Sequence, residues 1–196
     1  MKKIIQPLSY QQSNGSCWIT SVHNGLLYLL KSSDKIEHFI SRMLYITTSS
    51  EGTSNGESEI LVKLINDNKN IPVKASIIRK KTITATYLRR LLKSNSHVLI
   101  CDTLSGRHSI LLIDIKGDEI LAFDSDWDNV SDCKSVKGSY RCCPYANIQG
   151  KLFFNPYYNA GINIQHFLKT RTIEEKDQRF VMGANSSRFI IALKRK

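Results

Sequence analysis

The chain has no apolar run approaching the roughly 20 residues that a membrane-crossing helix needs. Its first residues, Met1-Lys2-Lys3-Ile4-Ile5-Gln6-Pro7, turn polar before the apolar stretch of a secretory signal could form. These absences predict a soluble, cytoplasmic protein without a cleavable signal, or one exported or injected by a specialised secretion system. A complete disulfide framework is not expected either. The five cysteines, Cys17, Cys101, Cys133, Cys142 and Cys143, are odd in number and irregularly spaced, which predicts a reducing compartment. Cys133, Cys142 and Cys143 match no common zinc spacing and have no histidine nearby, so no metal is expected there, and they read as small side chains in a loop.

Acidic residues are scarce, 17 against 28 basic, for a formal charge of +11. That excess favours a partner with an acidic surface, or simply electrostatic solubility. The basic clusters Arg79-Lys80-Lys81, Arg89-Arg90 and Lys194-Arg195-Lys196 have no aromatic residues woven between them, and nucleic acid is not the expected partner. No proline-rich or low-complexity linker interrupts the 196 residues. A single domain of two lobes is therefore expected, residues 1–70 mainly helical and 71–196 mainly β-sheet, large enough to bury a core without disulfides or metal.

The hydrophobic pattern places the elements. Trp18, Ile19, Val22, Leu26, Leu27 and Leu30 repeat at helical spacing with a wide apolar face, which predicts a largely buried helix starting at Cys17. A second helix is expected from Ser33 or Asp34 through Leu44, a flexible loop over 51–57, and a third helix through Ile60 to Ile65, ending near Asn66-Asp67-Asn68. The period then switches. Val73–Ile78 reads as a strand, Thr84–Leu92 as a short helix and His97–Cys101 as a strand. Ser109–Ile115 and Glu119–Phe123 read as a hairpin buried on both faces. Residues 124–146 read as a long irregular loop, 151–154 as a return to the sheet, 162–180 as partly helical and 188–193 as a last strand.

Within this frame one stretch carries chemistry. Gln11-Gln12-Ser13-Asn14-Gly15-Ser16-Cys17-Trp18 puts a thiol where a loop enters an apolar helix, with a glutamine six positions upstream. The partial positive charge of a helix N-terminus favours the thiolate, the attacking form, as would an imidazolium neighbour. A base is then required, and a group to hold its ring. Of His23, His38, His97, His108 and His166, only His108 follows a glycine turn and is followed in the same hairpin by acids. If Lys116-Gly117-Asp118 is a three-residue loop, Ile110 lies opposite Asp124 and His108 opposite Asp126. Asp124 is then one diagonal step from His108, about 7–8 Å between Cα atoms. A two-residue loop puts His108 and Asp124 on opposite faces unless a bulge intervenes.

The order Gln11, Cys17, His108, Asp124 resembles the papain-like cysteine peptidases, and is most similar to the bacterial C39-like branch. The resemblance covers the motif regions, about a third of the chain. It implies an α+β fold in which a helical lobe carrying the nucleophile packs on an antiparallel β-sheet lobe. It also implies Cys17 as nucleophile, His108 as base, Asp124 as orienting acid and Gln11 in the oxyanion hole. Departures are present: Trp18 follows the cysteine where C39-like enzymes more often have glycine, and Ser125 follows Asp124 where proline is frequent. Asp126 and Asp128 therefore rival Asp124, and Gln12 rivals Gln11. Cys-Trp at a helix start followed by His and Asp is also similar to transglutaminase-like folds.

The expected activity is hydrolysis of peptide bonds through a thioester acyl-enzyme, with a peptide or protein as substrate and no metal or organic cofactor. Two other functions fit the same residues. One is an effector or toxin using the site as a protease or glutamine deamidase, and the other is a catalytically inactive peptide-binding module. The loops at 125–147 and 52–56 are the expected walls of a substrate groove.

Overall fold

The computed structural model describes residues 17–31, 55–79, 83–93, 96–104, 108–126, 135–148, 151–154, 158–171 and 178–196. Helices α1 (Cys17–Leu30) and α2 (Asn55–Asp67) come first, followed by β1 (Val73–Ile78), α3 (Ala85–Leu92) and β2 (His97–Asp102). The antiparallel hairpin β3 (Ser109–Lys116) and β4 (Glu119–Phe123) follows, then the short strands β5 (Tyr140–Cys142), β6 (Pro144–Ile148), β7 (Lys151–Phe154) and β8 (Ala160–Asn163). The one-turn α4 (Ile164–Phe167) leads to β9 (Ile190–Arg195). Seven strands form one antiparallel sheet in the order β1-β9-β2-β3-β4-β8-β5, and β6 pairs with β7 separately. This is the α+β architecture expected of the papain-like resemblance.

The sheet is covered on both faces, which is why its central strands read as continuous apolar runs. On one face Trp18, Val22 and Leu26 of α1 and Leu61 and Ile65 of α2 pack over Val98, Ile100, Leu111, Ile191 and Leu193. On the other, Leu88 and Leu92 of α3, Phe167 of α4 and Phe180 cover Leu99, Leu112, Ile120 and Ile190. The α1 helix packs closely on the sheet. A Cβ on Gly25 would meet Leu193 Cδ1 at 3.0 Å and Leu111 Cδ1 and Val98 Cγ2 at 3.2 Å, so any larger residue there would have to push three strands' side chains aside by a few tenths of an ångström.

Helix α3 starts where Thr84 caps it, its hydroxyl accepting from the Tyr87 N–H at 3.2 Å. Arg188 is buried and ties three carbonyls together, donating to Gly183 O, Ile83 O and Leu168 O. At one end of the sheet, the side-chain amide of Asn66 on α2 pairs with both the N–H and the C=O of Ala75 on edge strand β1, at 2.9 and 3.0 Å.

Several expectations are corrected. Residues 55–57 belong to α2 instead of a loop. The stretch 124–146 includes β5 and the start of β6, and 151–154 pairs only with β6, outside the large sheet. Within 162–180, expected to be partly helical, the described helix is the four-residue α4, and Ile162 and Asn163 end β8. Cys142 lies on β5 and is disulfide-bonded, while Cys143 beside it is a buried free thiol, so the pair is not loop filler. The expected helix at 34–44 lies outside the described residues.

The hairpin differs most usefully. Lys116 faces Glu119, leaving the two-residue turn Gly117-Asp118, with Gly117 at φ +59° in the first central position, where a type II′ turn takes glycine. The three-residue loop is therefore wrong. The pairing runs Ile115–Ile120 and Asp114–Leu121, then shifts by one residue to Leu112–Ala122 and Leu111–Phe123. The bulge at Ile113 restores, beyond it, the register in which Ile110 lies opposite Asp124.

Candidate active site

Cys17 is the first residue of α1 and is buried, its thiol at the positive end of a 14-residue helix. The backbone N–H of Ser109, at the start of β3, donates to Cys17 Sγ at 3.4 Å. Ser21, one turn into α1, donates its hydroxyl to Ser109 O at 3.0 Å. Helix start and strand start are thus joined on both sides of the thiol.

His108 precedes β3. Its carbonyl is held by the N–H and hydroxyl of Thr103, at 2.8 and 3.0 Å, which fixes the backbone as the chain enters the strand. Its ring Nε2 donates to Asp124 Oδ1 at 2.5 Å, and the ring lies near enough to Cys17 for the two to shift each other's proton affinity. With Nε2 committed to the carboxylate, Nδ1 is the nitrogen left for the thiol.

Asp124 is fully buried. Its backbone is gripped by Asn159, which accepts from Asp124 N and donates to Asp124 O, both at 2.7 Å. Its Oδ1 also accepts from the Asp126 N–H at 3.0 Å, and its Oδ2 accepts from Arg179 Nη2 at 2.9 Å.

The electrostatics follow from these contacts. Burial opposes charge on the His108 ring, but Asp124 and the thiol outweigh it and lift the imidazolium to about 10. Burial likewise opposes the thiolate, but His108 and the Ser109 N–H bring Cys17 below an ordinary thiol. Asp124, though buried, is held below the usual carboxylate range by His108 and Arg179. These shifts together favour a thiolate–imidazolium pair over two neutral groups.

The structure thus brings Cys17, His108 and Asp124 together, while Gln11, Gln12 and Asp128 lie outside the described residues. Asp126 is largely exposed, and its carboxylate lies 3.8 Å from Arg179. Of the other histidines, His23 is partly buried on α1 and pushed down to about 4 by burial. His97 begins β2, and His166 is buried on α4, donating to Arg179 O at 2.8 Å.

Four neighbours have no local sequence signal or only a weak one: Asp102, Ser109, Asn159 and Arg179. Asp102 ends β2 and accepts from the Ser109 hydroxyl at 2.5 Å, and burial raises its carboxyl above the usual range. Among the described residues, no group of three or more His, Cys, Asp or Glu side chains could hold a metal ion. No described helix is long and apolar enough to cross a membrane.

No protein-family model matches the chain, and no curated protein does. Among solved structures it is similar to the crystal structure of a double glycine motif protease from an AMS/PCAT transporter in complex with the leader peptide. The likeness has a TM-score of 0.50 at 13% sequence identity, and covers 98% of this chain and 94% of that one. Sharing so little sequence over so much length, the two chains have the fold in common.

Proposed function

We propose that the chain is a cysteine peptidase of the C39-like kind, acting as one two-lobed unit. The observation that carries the reading is the run of contacts from the thiol at the start of α1, through the His108 ring, to the buried carboxylate of Asp124. In this reading His108 holds the proton released by Cys17, and Asp124 keeps the imidazolium charged and its ring oriented. Cys17 Sγ attacks a peptide carbonyl carbon, and the carbonyl electron pair moves onto oxygen. There the Cys17 N–H and the Gln11 amide would receive it.

Collapse of the tetrahedral intermediate expels the amine as His108 Nδ1 returns a proton to it, leaving a thioester. Water, deprotonated by the same nitrogen, attacks the thioester and releases the acid and the thiol. The structural neighbour was solved with a leader peptide, which supports an extended peptide as substrate, and the basic excess of this chain favours acidic residues in it.

The test is incubation with a peptide library containing acidic and double-glycine sequences, read by mass spectrometry, with Cys17→Ala as control. Backbone cleavage that disappears in Cys17→Ala supports the peptidase. A glutamine-to-glutamate mass change without cleavage makes it a deamidase, since the same thiol would attack a side-chain amide. Peptide binding without turnover makes it a binding module.

A further inference from the structure

Asp124 meets two cations, one on each oxygen. Oδ1 takes the His108 ring at 2.5 Å and Oδ2 takes Arg179 Nη2 at 2.9 Å, with Arg179 55 residues further along the chain. A Cys-His-Asp arrangement needs only the first. The second is held firmly in place. Arg179 O receives the Nε2–H of buried His166 at 2.8 Å, and the Val181 N–H closes the turn onto Gln178 O at 3.1 Å. Phe180, between them, adopts φ +62°, a left-handed conformation costly for a bulky residue, while its ring is buried edge-on to Tyr140 at 5.0 Å. The Arg179 guanidinium lies over that ring, 5.3 Å from its centroid. A strained, buried turn therefore aims a permanent charge at the far side of the orienting carboxylate.

We propose that Arg179 is a positioning residue that acts on the reaction through Asp124, completing a four-member charge relay Cys17–His108–Asp124–Arg179. This rests on the reading of Cys17, His108 and Asp124 given above. Arg179 does two things. It locks the carboxylate plane so that Oδ1 stays on Nε2, which a buried carboxylate with one bare oxygen would not guarantee. It also balances charge. With Cys17 as thiolate and His108 as imidazolium, Asp124 alone leaves the buried cluster net negative, and Arg179 brings it to zero.

The electrostatic consequence has a sign. His108 is faced by Cys17, Asp124 and Asp102, and Asp124 by His108 and Arg179, with Asp126 at the rim. A fixed positive charge behind Asp124 weakens the carboxylate's hold on the imidazolium proton, so His108 gives it up more readily to the leaving amine. The same charge helps Cys17 ionise. Removing it makes both groups retain protons to higher pH.

The experiment is the pH profile of Cys17 alkylation by iodoacetamide, which needs no knowledge of the substrate, with kcat and KM on any cleaved peptide as a second readout. In Arg179→Gln both limbs of the profile are expected to move upward by about one pH unit. Arg179→Lys, which keeps the charge, is expected near the wild-type positions, and kcat is expected to fall in Arg179→Gln with KM little changed. Limbs of Arg179→Gln at wild-type positions, or moved downward, overturn the proposal, as does Arg179→Lys shifting as far as Arg179→Gln. A wild-type profile with the usual limbs and an unmoved variant removes Arg179 alone and leaves the peptidase reading standing. A wild-type Cys17 that titrates as an ordinary thiol overturns that reading, and this proposal with it.

Discussion

His108 and Asp124 share one face of the β3–β4 hairpin because a single residue, Ile113, is unpaired between the Leu112–Ala122 and Asp114–Leu121 partners. Were Ile113 paired with Ala122, the two-residue turn at Gly117-Asp118 would carry its own register to the end of the strands and set the ring and the carboxylate on opposite faces. Deleting Ile113 tests whether register alone sets the site. With the unpaired residue gone, Asp114–Leu121 and Leu112–Ala122 become successive pairs of a regular ladder, and His108 and Asp124 keep their common face. The expected result is a folded protein that loses about 1–3 kcal/mol of packing and whose Cys17 keeps its raised reactivity. A folded variant whose Cys17 reacts as an ordinary thiol would show that the bend of the bulge, and not the register, brings the groups together.

Asp124 and Asp126 differ sharply in setting, the first fully buried against His108 and the second largely exposed. Asp124→Asn keeps an acceptor for Nε2 but removes the charge that sustains the imidazolium, and kcat/KM should fall about 10²-fold or more. Asp126→Asn should stay within a few-fold of wild type. Peptide hydrolysis assays decide between them, and equal losses would mean that Asp126 shares the role.

Stability should carry the mark of the ion pair. As pH rises past about 6.5, unfolded chains lose the His108 proton that the folded site keeps to about 10, and this lowers stability. Cys17 works oppositely, because its folded thiol ionises below the unfolded value, so its contribution grows as pH rises toward the ordinary thiol range. Wherever the folded thiol is ionised and the unfolded one is not, the two oppose each other, and the wild-type unfolding free energy should fall less steeply with rising pH than the histidine alone would make it. Cys17→Ala leaves only the histidine and should lose stability steadily between about pH 6.5 and 8.5. Urea titrations across the range check it, and parallel slopes in the two proteins would contradict the pairing.

Among the described residues, the Asn66 side chain covers part of the edge strand β1. Asn66 occupies both the N–H and the C=O of Ala75. Asn66→Ala should cost about 1–3 kcal/mol and leave that edge open to pairing with another chain. Urea midpoints and size-exclusion chromatography read the two effects, and an unchanged midpoint with a monomeric profile would mean that the contact carries no weight.

How much of this was legible depends on the range of each interaction. The Cys17 helix and the strands β2, β3 and β4 are written in local apolar periodicity, and the thiol's place at a helix start follows from residues within one turn. His108 and Asp124 were legible as a pair because a hairpin couples residues close in sequence. The choice between a three-residue turn and a two-residue turn with a bulge stays open in the sequence, since both faces of β3 are apolar and no alternation marks where the period slips. Arg179 and Asn159 reach Asp124 from 55 and 35 residues away, through a segment whose short strand and one-turn helix carry almost no periodic signal. Ser109 could have been found, since the residue after the base necessarily enters the strand beside the thiol. Asp102 could not, because its contact with Ser109 depends on the β2–β3 pairing.

The central claim is that Cys17 is a thiolate held by His108, and the rate of Cys17 alkylation by iodoacetamide at pH 6 tests it most directly. An ordinary thiol is only about 0.3% ionised there. The wild-type protein is predicted to react about 10²-fold faster than both His108→Ala and the urea-unfolded chain. Equal rates in all three, each rising tenfold per pH unit toward pH 8.5, would contradict the account.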